Sequence, residues 1–433
     1  MPNTVCGSKI PIGGQLKMTN KKKLLFLISL GSILEYYDYA IFIYLAPVIG
    51  HELIPVHNQL ANLILSYAIF AIGAFFRPLG GVVFSHFGDT RGRSEVFIYT
   101  ILFMAIPTLA IAFIPGISHI GILATVALII FRILQGVAIG GEVPGSIVFG
   151  YETATLKHKA LNSSVVVMGT NIGFFIASII CMVLANLTLS FGSWRLAFIL
   201  GGIFGVASYF LRKNLSETDA FTQYKNSIAR EEVPFKVLFQ QHKNAIWQLI
   251  ALGGFLASSL AVFTFYMPVY LSTFYHLPIT KLMEFNSFTI IIFIIGSLIA
   301  GVFDQYFGKK FFLFFTPIFA ISVILLFNLY PFLEMNQILG IHVVVLLSIG
   351  IVCGRLPVLC ATFFPVKVRY TGVAFVYNIS FGIIAGSTQM LLTWLIKISS
   401  LLWIPGAYLF IFAMLALIAI ISIDKERLIN YQH

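Results

Sequence analysis

Charge is what this sequence lacks most. Asp, Glu, Lys and Arg make up only 10% of its 433 residues, hydrophobic residues make up 59%, and the mean hydropathy is +0.96. A water-soluble domain carries about 25% charged residues and covers its core with them, so a soluble globular protein is excluded and a bilayer is the solvent that fits. Acidic residues are the scarcer sign, 16 against 27 basic ones, leaving a net charge of +11. Cysteine is sparse too: Cys6, Cys181, Cys353 and Cys360 stand apart with no CxxC and no His/Cys cluster, which excludes a zinc site and a disulfide framework. No GxxxxGK[ST] loop occurs, so nucleotide hydrolysis does not drive this protein. His51-Glu52 lacks the second histidine of a zinc-protease motif, and no Ser/His/Asp set lies at membrane depth. Neither an enzyme nor a cofactor is called for.

What is present is a series of long apolar runs. A spanning helix takes about 20 mostly apolar residues, and twelve such stretches fit the chain, near 24–49, 60–86, 95–114, 120–150, 161–187, 193–212, 245–274, 285–303, 310–330, 337–363, 370–396 and 402–423. Lys21 to Lys23 ahead of the first run imitate a secretory signal. The run is too long for one, contains Glu35 and Asp38, and lacks a small-residue cleavage site, so it reads as a retained helix. Residues 1–22 are expected to be a disordered N-terminus, with Met18 an alternative start. With the N-terminus inside, twenty-one of the 27 lysines and arginines fall on inner segments. That asymmetry places both termini in the cytoplasm of a multi-pass inner-membrane protein, and it explains the basic charge without a nucleic-acid partner. The polar connection 213–243 separates two six-helix bundles, 23–212 and 244–423, and a short tail, 424–433, follows. The halves echo one another: Gly81…Gly88-Asp89…Gly92-Arg93 recurs loosely as Gly301…Asp304…Gly308-Lys309-Lys310, and Arg132 is answered by Arg355. An all-α membrane fold of two pseudo-symmetric bundles that rock about a midplane site follows from such a repeat.

Six Asp, Glu and Arg residues lie well inside the apolar runs, away from their ends: Glu35, Asp38, Arg77, Arg132, Glu142 and Arg355. Each costs on the order of several kcal/mol in hydrocarbon, so each is a functional candidate. Glu35 and Asp38 share one helix face at spacing i, i+3, the arrangement in which a carboxylate takes up a proton; a static ion pair with Arg77 or Arg132 is the bland alternative. Asp38 is favoured as the proton site and Glu35 as its partner. Arg132 lies near the midplane, able to face these carboxylates, and either anchors an anionic substrate or stabilises the ionised acid. Glu142 lies roughly 15 Å nearer the cytoplasm. Arg355, with no intramembrane acid in the second half, has no obvious partner and is the leading substrate anchor, with Arg77 as a second candidate. Tyr36, Tyr37, Tyr39, Tyr44, Tyr266, Tyr270, Trp394, Gln135, Asn171, Asn378 and Gln389 are candidates to line a cavity. The GxxxG pairs Gly136/Gly140, Gly141/Gly145, Gly169/Gly173, Gly201/Gly205, Gly350/Gly354 and Gly382/Gly386 mark close helix contacts.

Several of these segments resemble signatures of the major facilitator superfamily, and within it the metabolite:proton symporter family of proline/betaine, α-ketoglutarate, citrate and shikimate carriers. Gly31-Ser32-Ile33-Leu34-Glu35-Tyr36-Tyr37-Asp38-Tyr39 is similar to its first-helix signature, with Tyr36 where Trp is usual. Phe76-Arg77-Pro78-Leu79-Gly80-Gly81, Gly88-Asp89-Thr90-Arg91-Gly92-Arg93, Arg132-Ile133-Leu134-Gln135-Gly136 with Gly140-Gly141-Glu142, and Val368-Arg369-Tyr370-Thr371-Gly372 follow in order. The resemblance implies that Asp38 and Arg132 serve proton coupling and that Asp89 with Arg93 forms an inner-face gate, to which Glu142 and Asp304 are added. Asp304 is displaced by one position in the second copy, which weakens that half of the gate. The reading is a secondary carrier, working as a monomer, that imports a small carboxylate or zwitterion with protons. A proton-driven exporter of a drug or siderophore-like compound is the alternative on the same fold, and a transport-dead sensor the alternative of another class.

Overall fold

The computed structural model describes residues 18–90, 93–154, 159–185, 187, 192–212, 234–303 and 309–423. Of the segment 1–22 expected to be disordered, residues 18–22 are helical, while residues 1–17, the loop residues 213–233, the tail 424–433 and Asp304 lie outside the described residues, as do the side chains of Asp89 and Arg93. Among the described residues there is no strand. Hydrocarbon offers backbone groups no water, so each segment satisfies its own N–H and C=O groups as a helix.

In chain order the helices are α1 (Met18–Tyr44), α2 (Ala46–Leu53), α3 (Gln59–Thr90), α4 (Arg93–Ala112), the single turn α5 (Ile117–Ile120), α6 (Leu123–Thr153), α7 (Lys159–Ala185), α8 (Trp194–Arg212), α9 (Pro234–Gln241) and α10 (Lys243–Leu260). They continue with α11 (Met267–Tyr275), α12 (Ile279–Val302), α13 (Lys309–Leu329), α14 (Met335–Phe363), α15 (Val366–Tyr377), α16 (Ala385–Ser399) and α17 (Ile404–Ser422). Two π-helical segments, Ala261–Tyr266 and Asn378–Ile384, join α10 to α11 and α15 to α16 into single long spans. Among the described residues nine helices are long and apolar enough to cross a bilayer, α1 with α2 forms a tenth as a bent pair, and Ile98–Ala112 and Trp194–Phe210 are shorter apolar helices. In order and position these match the twelve apolar stretches of the sequence.

Packing repeats between the halves. α3 lies along α6 as α12 lies along α14, α4 along α8 as α13 along α17, and α1 along α7 as α10 along the π segment Asn378–Ile384. The halves meet through two related pairs, α3 with α16 and α7 with α12. Glycine makes these approaches possible. A Cβ on Gly136 would sit 1.9 Å from the Gly73 carbonyl oxygen and one on Gly140 2.0 Å from that of Arg77, while Gly350 and Gly354 meet the carbonyls of Phe293 and Ser297 at 2.4 Å. No side chain fits there, so backbones touch directly.

The boundaries differ from expectation where local chemistry intervenes. The first span does not run straight to residue 49: it turns by 66° between Tyr44 and Ala46. Pro47, in the first turn of α2, has no N–H to continue the ladder and its ring clashes with the preceding turn. The fourth span starts at Leu123 rather than 120, because Gly121 takes a left-handed φ of 59° and ends α5. The eighth begins at Ile279, ahead of the expected start at 285, with Lys281 and Glu284 exposed at its outermost turns. Part of the expected loop 213–243 is the short helix α9, which buries Leu238 and packs Phe235 and Phe239 on Phe375.

Candidate functional site

With an even number of spans, Met18 and Ser422 lie on one face, the terminal face, and the α1/α2 bend lies on the far face. At the terminal face the halves are tied by α6 and α15. Arg369 pairs with Glu152 at 3.3 Å and stands over the Tyr151 ring, the Tyr370 hydroxyl donates to the Gly141 carbonyl at 2.9 Å, and Asn378 Nδ2 donates to Gly140 at 2.7 Å. Ser164 of α7 donates to the Gly354 carbonyl of α14 at 3.1 Å. At the far face Asn286 donates to the Tyr44 hydroxyl at 2.8 Å, and that hydroxyl donates to the Thr264 carbonyl at 3.2 Å. Ser287 donates to Ser178 at 2.8 Å alongside. Both faces therefore carry polar ties between the halves.

Between them lies a small cavity of about 30 Å³ shared by the halves. The first half contributes Tyr36, Val143, Ile147, Val166, Thr170 and Asn171; the second contributes Leu260, Cys353, Leu356, Pro357, Cys360 and Tyr377, with Val167, Val373 and Phe381 completing the wall. The Tyr36 and Tyr377 hydroxyls hydrogen-bond to each other across the interface. Among the described residues no Lys, Arg, Asp or Glu lines this space.

The charged groups stand beside it as two separate pairs along α1. Glu35 meets Arg77 of α3 at 3.3 Å, and Asp38 meets Arg132 of α6 at 3.4 Å. Because positions 35 and 38 differ by about 300° around the helix, the two carboxylates share a face broadly yet reach different neighbours. Asp38, 1% exposed, also accepts from Thr108 Oγ1 at 2.8 Å and from Gln135 Nε2 at 3.0 Å to each oxygen. The Arg132 guanidinium lies 3.8 Å from the Phe42 ring centroid, and its Nε and Nη2 have no hydrogen-bond partner. This cluster is internal to the first half. Arg77 instead lies at the seam, its Cδ facing Gly382 of the second half.

The sequence candidates divide accordingly. Tyr36 and Asn171 line the cavity; Asp38, Arg132 and Gln135 come together, and Glu35 joins Arg77. Arg355 departs from expectation: it is buried in α14 and has an interaction of its own within the protein, so it is not a guanidinium without a partner. Helix rotation, invisible in one sequence, decides this. Tyr39 is packed among Phe70 and Phe265, Tyr266 accepts from Thr393 at 3.2 Å near the far face, and Trp394 is exposed on the outside of the bundle. Tyr37 donates to the Ala197 carbonyl inside the first half, Tyr270 donates to Leu402, and Gln389 is fully buried away from the cavity wall. Glu142 accepts from Thr100 at 2.5 Å within its own half. Thr108, Glu152, Arg369 and Tyr377 are site residues that sequence reasoning misses. Glu152 and Arg369 carry a usable signal, being opposite charges at the same membrane level on helices of different halves.

Comparisons with known proteins agree with this architecture. The chain is 29% identical over 429 residues to the glycine betaine/proline/ectoine/pipecolic acid transporter OusA of Dickeya dadantii, covering 92% of this chain and 82% of that one. It is 28% identical to the inner membrane metabolite transport protein YhjE of Escherichia coli, covering 95% and 96%. Among solved structures, the proton:xylose symporter XylE superposes with a TM-score of 0.73 over 93% of this chain and 95% of that one; at 13% identity this likeness concerns the fold alone. Relatives so named are transporters rather than enzymes, and the Major Facilitator Superfamily pattern matches residues 28–388. With that match spanning most of a two-bundle, multi-pass membrane chain, the protein belongs to the Major Facilitator Superfamily.

Proposed function

We propose that this protein imports a small carboxylate or zwitterionic metabolite together with protons, by alternating access across an inner membrane, with the terminal face in the cytoplasm. The distribution of basic residues supports the orientation. Relatives named for betaine, proline, ectoine and pipecolic acid support the cargo class.

The observation that carries the reading is the Asp38 cluster. An ionised Asp38 satisfies Arg132, Thr108 and Gln135 at once. Protonation removes the charge, and Arg132 is left holding a cation against Phe42 in hydrocarbon, which is costly. Relief comes from moving α6 relative to α1. The same helix carries Gly140, Gly141 and Glu152, three of the groups that tie the halves at the terminal face. A proton taken up at Asp38 is thereby coupled to the terminal-face ties, and cargo in the shared cavity leaves when those ties part. In proteoliposomes Asp38→Asn is expected to abolish gradient-driven accumulation while leaving exchange across the membrane. Full concentrative uptake by that variant removes the role assigned to Asp38.

A further inference from the structure

The cavity itself constrains what is carried, and this step rests on the transport reading above. Its wall is hydrocarbon, from residues such as Val166, Val167, Leu260, Leu356 and Phe381, and charged side chains are absent from the lining among the described residues. A polyanion seated there would find no counter-charge in that lining, and among the described residues the one cation that acts on the Tyr36 and Tyr377 hydroxyls, Arg77, is already paired with Glu35 at 3.3 Å. Besides Thr170, whose hydroxyl donates to the Val167 carbonyl at 2.6 Å, two polar features interrupt the wall. Asn171 is fully buried, and its Nδ2 donates to the Val167 carbonyl one turn back at 2.8 Å, which fixes the amide orientation. Its Oδ1 is left buried with no hydrogen-bond partner. Such an acceptor is costly to leave empty. The second feature is the Tyr36–Tyr377 pair, in which one hydroxyl donates to the other. Each hydroxyl has a single proton, so one proton of the pair remains to be donated elsewhere.

The site thus offers one acceptor and one donor set in an apolar wall. We infer that the cargo is a compact molecule of zero net charge with an aliphatic body, an N–H or O–H that donates to Asn171 Oδ1, and an acceptor that faces the tyrosine hydroxyls. Tricarboxylates are excluded by charge. Quaternary ammonium compounds lacking any N–H or O–H are discriminated against because they leave Oδ1 unpaired.

Cys353 and Cys360 line the cavity and report its occupancy. In a background with Cys6 and Cys181 replaced by serine, N-ethylmaleimide alkylation of purified protein is followed with piperidine-2-carboxylate, with its N,N-dimethyl derivative, and with citrate. The parent compound is expected to slow alkylation about tenfold at a concentration where the dimethyl derivative and citrate leave it unchanged, the size of effect expected for one buried donor lost. Asn171→Leu should erase the difference between parent and dimethyl derivative. Equal protection by the dimethyl derivative or by citrate, or no protection by the parent, overturns the inference, and the wild-type ranking stands whether or not the Asn171 variant folds. Asp38→Asn in the same background should keep the ranking, so a failure of proton coupling is read separately from a failure of cargo chemistry.

Discussion

The two α1 carboxylates do not have interchangeable surroundings. Glu35 and Arg77 are 1% and 2% exposed and lie at the seam between the halves, whereas Asp38 and Arg132 are enclosed in the first half with Thr108 and Gln135. Removing one member of a buried pair strands the other charge, at about 3–5 kcal/mol, whereas removing both is close to neutral. Arg77→Leu alone should therefore lower the thermal midpoint of the purified protein sharply, and Glu35→Leu with Arg77→Leu should recover most of the loss. If the double variant is as unstable as the single one, Glu35 has a different principal partner. The presence of intramembrane charge at these positions was legible in the sequence, because hydrocarbon makes every such residue conspicuous. Which acid meets which arginine was not. Partner choice depends on helix rotation and on which glycine lets two backbones close, and it assigned Arg77 to Glu35, Arg132 to Asp38, and Arg355 to an interaction within the fold.

Helices read differently. Their number and order followed from hydropathy, since each span must supply its own length of apolar residues, and the GxxxG spacing marked several close contacts, Gly136, Gly140, Gly350 and Gly354 among them, but not Gly80, whose Cβ would lie 1.9 Å from the Val137 carbonyl oxygen. Gly136 and Gly340 separate the two roles of glycine in a helix. A Cβ at Gly136 would lie 1.9 Å from a carbonyl oxygen of α3, and backbone on both sides leaves nothing flexible to yield; at Gly340 nothing lies within 4 Å. Gly136→Ala should cost upward of about 1–3 kcal/mol by overpacking, while Gly340→Ala should stabilise α14 by about 0.5–1 kcal/mol through lost backbone entropy. Thermal melts in detergent compare them directly, and a harmless Gly136→Ala would mean that α3 and α6 are further apart. The π segments left no trace in the sequence. Shifting the hydrogen-bond partner by one residue leaves an apolar run apolar, yet it puts Thr264 and Tyr266 in one half-turn and Asn378 and Ser380 in the other.

For the whole molecule, polar ties between the halves at both faces set up a balance between parting on one side and parting on the other. The terminal face is held by Arg369–Glu152, in which both side chains are mostly buried, 13% and 12% exposed, and by the Tyr370 and Asn378 bonds to α6. The far face is held by the chain Asn286–Tyr44–Thr264 and by Ser287–Ser178. A two-state equilibrium shifts only by the free energy of interactions that one state makes and the other does not, and a charge-assisted bond of this kind is worth about 1.5–3 kcal/mol, or a factor of roughly 10–150 in population. Glu152→Gln should favour opening at the terminal face, and Tyr44→Phe, which removes two weaker neutral bonds, should favour opening at the far face by a smaller factor. Spin-label distances across each face test the pair together: the terminal-face distance should lengthen in Glu152→Gln and the far-face distance in Tyr44→Phe, each with the opposite face unchanged or tighter. Lengthening at both faces in either variant would mean that these bonds hold the bundles together without setting the direction in which they part, and the coupling of α6 to Asp38 would then have to act through some other surface.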